Sequence, residues 1–256
     1  MSAVHAEWTK LRTLTGTPWL LLAIIALTVT AGGGAAAATT CQAAGCGLDP
    51  AKTALTGIEL SQAVVAILAV LAVSSEYSTG MIAVTLTAMP GRISVLAAKA
   101  VVVTGLVLAA GAAGVLASVL AGRLILPGHG FTSAHGYPPL SLGSGPDLRA
   151  AAGSVLYLAL IALLALGTAT AVRDSAVSIG AVLGLLYLFP VVASALSPHW
   201  SRFLQQVGPM SAGLGIQATI GLRGLPLSPW QGLGVLALWA TAALLAGGLL
   251  LRLRDA

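Results

Sequence analysis

Long apolar stretches alternate with short polar ones along this chain. Six stretches hold about 20 mostly apolar residues, enough for a helix rising about 1.5 Å per residue to cross a bilayer core. They run 18–38, 57–73, 93–122 (densest from Ala100), 150–172, 176–196 and 230–251. Each is apolar on all sides, without the period-two alternation of barrel strands about 10 residues long, so helices are predicted. The second is the shortest and has Glu59 close to its start. Pro18 suits a first helical turn, and Pro190 predicts a kink in the fifth helix. Ahead of the first span, residues 4–15 put Val4, Trp8 and Leu11 on one helical face and Glu7, Lys10 and Arg12 elsewhere. This pattern predicts a short amphipathic helix lying in the headgroup layer, with Trp8 and Trp19 as interfacial anchors. The 197–229 segment is long yet partly apolar, with Phe203-Leu204, Val207, Met210 and the run 214–222. Unstructured backbone is not tolerated in lipid, so short re-entrant helices are expected there.

Composition fixes the solvent. Of 256 residues, 57% are hydrophobic and 7% charged, and the mean hydropathy is +0.98. Soluble domains carry about 25% charged residues. A soluble enzyme, a disordered chain and a nucleic-acid-binding module are excluded. The fold class expected is all-α: a polytopic membrane protein, one transmembrane domain over residues 1–256, with the lipid bilayer as partner. The net charge of +5 comes from basic residues scattered singly, without the stripe that nucleic acid requires. In a membrane protein such charges sort orientation. Placing both termini in the cytoplasm puts Lys10, Arg12, Arg92, Lys99, Arg173, Arg252 and Arg254 inside. Lys52, Arg123, Arg149, Arg202 and Arg223 then lie in the longer outer segments, as the positive-inside rule favours. The basic start, apolar run and Ala-rich sequence before Cys41 also follow the pattern of a signal peptide, but the run is longer than a usual signal core and is expected to remain as a span.

Candidate chemistry is sparse. Cys41 and Cys46 lie in an outer loop, where either a small disulfide or two free thiols is open. His129, His135 and His199 lie in outer loops without carboxylates arranged around them, so no metal site is expected. Glu59, beside Ser61 and Gln62, either reaches the headgroups or faces a polar cavity on a substrate pathway, where it would bind a cationic substrate. Lys99, near the inner end of the third span, is expected to snorkel to the interface. Gly180 and Gly184 form a GxxxG pair, a pattern for close helix packing. None of the three lysines follows a glycine, so there is no phosphate-cradling GxxxxGK[ST] loop. HExxH and GxSxG are likewise missing from the sequence, and no catalytic residue is named. Energy for any transport must come from a partner or an ion gradient.

The segment from Ser74 to Lys99 carries the most information. Its front mixes Glu76, Tyr77, Ser78 and Thr79 with Met81, Ile82, Val84 and Leu86, and it stops at Met89-Pro90-Gly91. A short surface helix is predicted over 74–91, followed by Arg92 and Lys99 seven residues apart. The pattern Glu76, Gly80, Met81-Ile82, Leu86, Pro90, Arg92, Lys99 resembles that of ABC-2-type transporter permeases, and Glu7-Trp8-Thr9-Lys10-Leu11-Arg12 resembles their entry segment. Met81 stands where Thr is common in that family, and Gly91 where Ser or Ala is common. The resemblance implies a permease subunit in a bacterial cytoplasmic membrane, exporting a small molecule, drug, antibiotic or peptide by alternating access. It implies a cytoplasmic coupling helix at 74–91, with Glu76, Tyr77, Thr79, Gly80, Met81, Pro90 and Arg92 set against a separate ABC ATPase subunit. Arg173 and Asp174 would make a smaller contact. ATP and Mg would be bound by that ATPase and no cofactor by this chain. A second permease chain, identical or different, would pack through the second and fifth helices, where Gly180 and Gly184 lie. A secondary transporter and a structural subunit of a membrane complex are the alternatives; the first would call for intramembrane ionisable residues or internal repeats.

Overall fold

The structure is a computed structural model that describes residues 3–13, 16–41, 46–78 and 91–253, with the side chains of Ser78 and Arg92 left aside. Among the described residues every regular element is helical. A short helix α1 (Ala3–Thr13) precedes the first span, α2 (Gly16–Ala38). A single turn α3 (Pro50–Ala54) leads into α4 (Ile58–Ser78), then α5 (Arg92–Ile125) and α6 (Gly145–Val172). The fifth span is α7 (Ser175–Leu183), a π-turn (Gly184–Leu188) and α8 (Phe189–Ala195). Two short helices, α9 (Pro198–Val207) and α10 (Pro209–Leu214), come before the last span, α11 (Pro229–Leu253). Six helices are thus long and apolar enough to cross a membrane.

Most span edges lie within a residue or two of those expected. The differences have local causes. Ser144 caps α6 by accepting from the Asp147 amide, with Pro146 in the first turn, so α6 starts five residues before the apolar run does. Residues 74–78 continue α4 as helix and do not open a separate surface helix, because Val73 and Glu76 remain packed inside the bundle. The rest of the expected coupling segment, 79–90, lies outside the described residues. At Pro190 the ring removes an amide and crowds the preceding turn. The distortion is taken up just before it, by the wider π-turn at Gly184–Leu188.

The second and fourth spans, α4 and α6, are the most enclosed, while α2, the fifth span and α11 present broad apolar faces outward. Trp19, Leu124, Leu238 and Leu253 are among the most exposed large side chains, as expected where lipid replaces water. Helix α6 meets α11 at a crossing set by two glycines. A Cβ on Gly167 would lie 2.5 Å from the Ala243 carbonyl carbon, and one on Gly247 would lie 2.6 Å from the Gly167 carbonyl oxygen. Close backbone approach of this kind is how helices gain dispersion contact where lipid already satisfies apolar surface.

One end of the bundle gathers α1, the end of α4, the start of α5, the end of α6 and the end of α11. The opposite end carries the loops. There Ser118 of α5 donates to the carbonyl oxygens of Thr28 (3.2 Å) and Ala54 (2.7 Å), tying α2 to α3. Cys41 and Cys46 are joined in a disulfide, and the Cys41 amide donates to the His129 carbonyl oxygen at 2.8 Å. The loop after α2 is thereby fastened to the one between α5 and α6.

Candidate functional site

Two polar constellations interrupt the apolar packing, one at each end of the bundle. The first lies at the end that carries α1. Here four charged side chains from three helices meet. Lys99 of α5 donates to Glu7 Oε2 of α1 at 2.8 Å, to the Ala72 carbonyl oxygen at 3.3 Å, and to Glu76 Oε1 of α4. Lys10 of α1 pairs with the same Glu76 oxygen. Glu7, Glu76 and Lys99 are each at least 96% buried in their side chains, and Lys10 closes the cluster from its edge at 25% exposure. Two ammonium groups face two carboxylates, so the cluster is formally neutral. The other oxygen of Glu76 is buried with no hydrogen-bond partner among the described residues.

Local helix geometry accounts for this meeting. Glu7 and Lys10 are three apart on α1 and share a face, as do Ala72 and Glu76 on α4. Lys99 sits two turns into α5 and reaches both faces from between them. The expectation that Lys99 snorkels to the interface is therefore corrected: its ammonium turns inward and is held by three oxygens of α1 and α4, not by headgroups. Glu7 and Lys10 likewise do not simply oppose the apolar face of α1. That apolar face is split instead, with Leu11 buried and Val4 and Trp8 each 42% exposed.

A few residues away, the Arg173 guanidinium lies over the Tyr77 ring, 5.4 Å from its centroid. Arg173 ends α6 in the left-handed conformation (φ +66°), and Asp174 caps α7 by accepting from the Val177 amide at 2.8 Å. The tight turn Arg173-Asp174-Ser175 thus sits beside the end of the second span. Of the expected coupling residues, Glu76, Tyr77, Arg173 and Asp174 fall at this end together. Thr79, Gly80, Met81 and Pro90 lie outside the described residues, and for Arg92 only the backbone, at the start of α5, is described.

The second constellation is at the far end. A cavity of about 420 Å³ opens between α3, the start of α4, α8, α9 and α10. Glu59 and Lys52 line it, with Gln205, Ser211, Met210 and apolar neighbours. Gln62, one turn along α4, does not join the lining. It is fully buried: its amide donates to the Glu59 carbonyl oxygen at 3.1 Å and touches Met210 Sδ at 3.3 Å, while its oxygen accepts from the Tyr157 hydroxyl. The Tyr187 hydroxyl, in the π-turn, also donates to the Glu59 carbonyl at 2.5 Å. The π-turn thereby anchors the fifth span to the wall of the cavity.

Residues that pattern reasoning passed over hold the far wall in place. Asp49 Oδ1 accepts from the amides of Ala51 (3.1 Å) and Lys52 (3.2 Å) and from Thr219 Oγ1 (2.7 Å). Its other oxygen accepts from the Thr219 amide and the Ile220 amide (3.0 Å). Arg149 donates to the Ala218 carbonyl at 2.5 Å, and Gln217 donates to Ser154 Oγ at 3.2 Å. The segment after α10 therefore dips inward, with Ile216 fully buried against Gly153, and returns under the grip of Asp49. Asp-Pro ahead of a helical turn is a capping signal, and that was the one local cue available at Asp49.

Among the described residues, a Cβ built on Gly180 or Gly184 would meet no atom within 4 Å. Close backbone approach within the chain is found at other glycines, among them Gly32, Gly57, Gly167, Gly232 and Gly247. The fifth span keeps an open apolar face, whereas the second span is largely enclosed. His135 Nδ1 lies 2.7 Å from the Gly130 carbonyl oxygen, and among the described residues no three His, Cys, Asp or Glu side chains gather as metal ligands would. Comparison with protein-family models and with curated proteins finds no match for this chain.

Proposed function

We propose that this chain is the permease subunit of an ATP-driven transporter of the ABC-2 type, exporting an amphipathic small molecule or peptide across a bacterial cytoplasmic membrane. Both termini face the cytoplasm in this reading, and the chain works as a dimer with a separate ATPase subunit that binds ATP and Mg. The observation that carries the proposal is the buried cluster of Glu7, Lys10, Glu76 and Lys99. It bolts the N-terminal helix, the end of the second span and the entrance to the third into one unit, next to the segment that resembles a coupling helix. A push delivered at 79–90 would then move three helices together. The Arg173–Tyr77 contact sets the Arg173-Asp174 turn beside the end of α4, which supports a second ATPase contact near the first. Glu76, being buried, acts in this scheme by positioning the segment after it and not by touching the ATPase. The absence of a phosphate-binding loop in the sequence supports hydrolysis in a partner.

The test is purification of the tagged chain in mild detergent from its native host, scoring a co-purifying ATPase, with Gly80→Pro and Glu76→Gln alongside. Recovery of an ATPase that Gly80→Pro weakens, with the variant still folded, supports the proposal. A pure, folded chain with no ATPase in repeated preparations overturns it and favours a gradient-driven transporter or a structural subunit.

A further inference from the structure

The cavity at the far end has a feature that a plain apolar pocket lacks. Lys52 and Glu59 line the same space, carry opposite charges, and make no ion pair with each other or with any other described side chain. Both helices that present them are fixed. Lys52 rides on the turn capped by Asp49, and the Glu59 backbone is held by Gln62 and Tyr187. Around the two charges are a few neutral polar groups, Gln205, Ser194 and Ser211, and the thioether of Met210; the rest of the wall is aliphatic. A carboxylate and an ammonium that line one cavity without pairing can both be completed by a ligand of matching dipolar charge, with a charge-assisted hydrogen bond to each. Aliphatic walls around a small set of placed polar groups are the ordinary composition of a small-molecule site.

We propose that this cavity binds a zwitterionic amphiphile, its cationic group at Glu59, its anionic group at Lys52, and its apolar part along the aliphatic wall. The inference rests on reading Glu59 as part of the substrate route, and it narrows the cargo from any amphipathic molecule to one with a dipolar head. A purely cationic or purely anionic amphiphile satisfies one charge of the site and meets repulsion from the other. The same head chemistry occurs in membrane phospholipids and in free single-chain amphiphiles.

The experiment measures equilibrium binding of radiolabelled dodecylphosphocholine to the whole chain in nanodiscs of phosphatidylglycerol, with empty discs subtracted. The expected result is saturable binding of one molecule per chain, weakened at least about tenfold by Lys52→Met and by Glu59→Gln, each of which removes one charge-assisted contact. Dodecyltrimethylammonium and dodecyl sulfate should compete at least about tenfold more weakly than unlabelled dodecylphosphocholine. The double reversal Lys52→Glu with Glu59→Lys should invert the ranking of dodecylphosphocholine against a dodecyl sulfobetaine, whose head carries its charges in the opposite order. Competition by phosphatidylethanolamine built into the disc supports the proposal with a bilayer lipid as the source; binding without that competition supports it with a free amphiphile as the source. No saturable binding, or binding that neither single variant nor the change of head type weakens, overturns the proposal. Because no ATPase is present, a positive result followed by failure to recover the ATPase would sink the ATP-driven reading and leave the binding site standing.

Discussion

Removing the Lys99 ammonium is the sharpest test of the buried cluster. In Lys99→Met the aliphatic stem survives and the charge does not. The lost pair with Glu7, at 2.8 Å, corresponds to about 6 kcal/mol of Coulomb attraction at an effective dielectric near 20. Most of that is offset in the natural chain by the cost of burying both ions, several kcal/mol each. The net worth of the pair is therefore small, but the variant does not return to a neutral baseline. Glu7 is buried, has Lys99 as its one ion-pair partner among the described residues, and is left as an uncompensated carboxylate. Breaking a buried pair on one side costs about 3–5 kcal/mol. Unfolding by dodecyl sulfate in mixed micelles should thus favour the unfolded form of Lys99→Met by roughly a hundredfold or more. Adding Glu7→Gln removes the stranded charge. The double variant should recover at least half of the loss, a coupling that a double-mutant cycle reads directly. The reasoning is refuted if Lys99→Met unfolds like the natural chain, or if Glu7→Gln makes it worse by its own full single-variant effect.

Asp49→Ala leaves the Thr219 and Ile220 amides without their acceptor, and each hydrogen bond to a charged group is worth about 1.5–3 kcal/mol. Hydrogen exchange should report loss of protection confined to 217–224, with the spans unchanged. Gly167→Val drives a side chain into the α11 backbone and should destabilise by at least about 1–3 kcal/mol, whereas Gly180→Val, with open space around it, should leave monomer stability within about 0.5 kcal/mol. Under the dimer proposed above, Gly180→Val lowers self-association in a cross-linking assay instead. Thiol labelling of the unreduced protein should find no free cysteine. Cys41→Ser with Cys46→Ser should cost no more than about 2 kcal/mol, because the bridged loop is so short.

Hydropathy alone located all six spans, because a run of about 20 apolar residues has few other uses. Their edges moved at Ser144, where capping chemistry took over, and at the end of α4, where Val73 and Glu76 stay packed in the bundle. The Arg173-Asp174 turn was legible since an Asp ahead of an apolar helix is a local cap signal. What could not be read is long-range. Glu7, Lys10, Glu76 and Lys99 are spread over 92 residues and follow no shared period, so nothing local marks them as neighbours. Lys99 was the instructive case: one lysine near a helix end looks the same in sequence whether it turns out to the headgroups or in to a carboxylate. Glu59 and Gln62, adjacent on one face and equally polar, divided between cavity wall and buried anchor. That division depends on Tyr157 and Met210, which arrive from other helices.

The Lys99–Glu7 pair also orders events during synthesis. Helix α1 is made before the third span, so its Glu7 has to wait for a lysine 92 residues further along the chain. Until the third span is in place, α1 carries a carboxylate without the ammonium that compensates its burial. Once Lys99 arrives beside Glu76, the waiting carboxylate is buried and the first half of the bundle closes around it. The cluster thus serves the growing chain as a latch, thrown only when the third helix is in place.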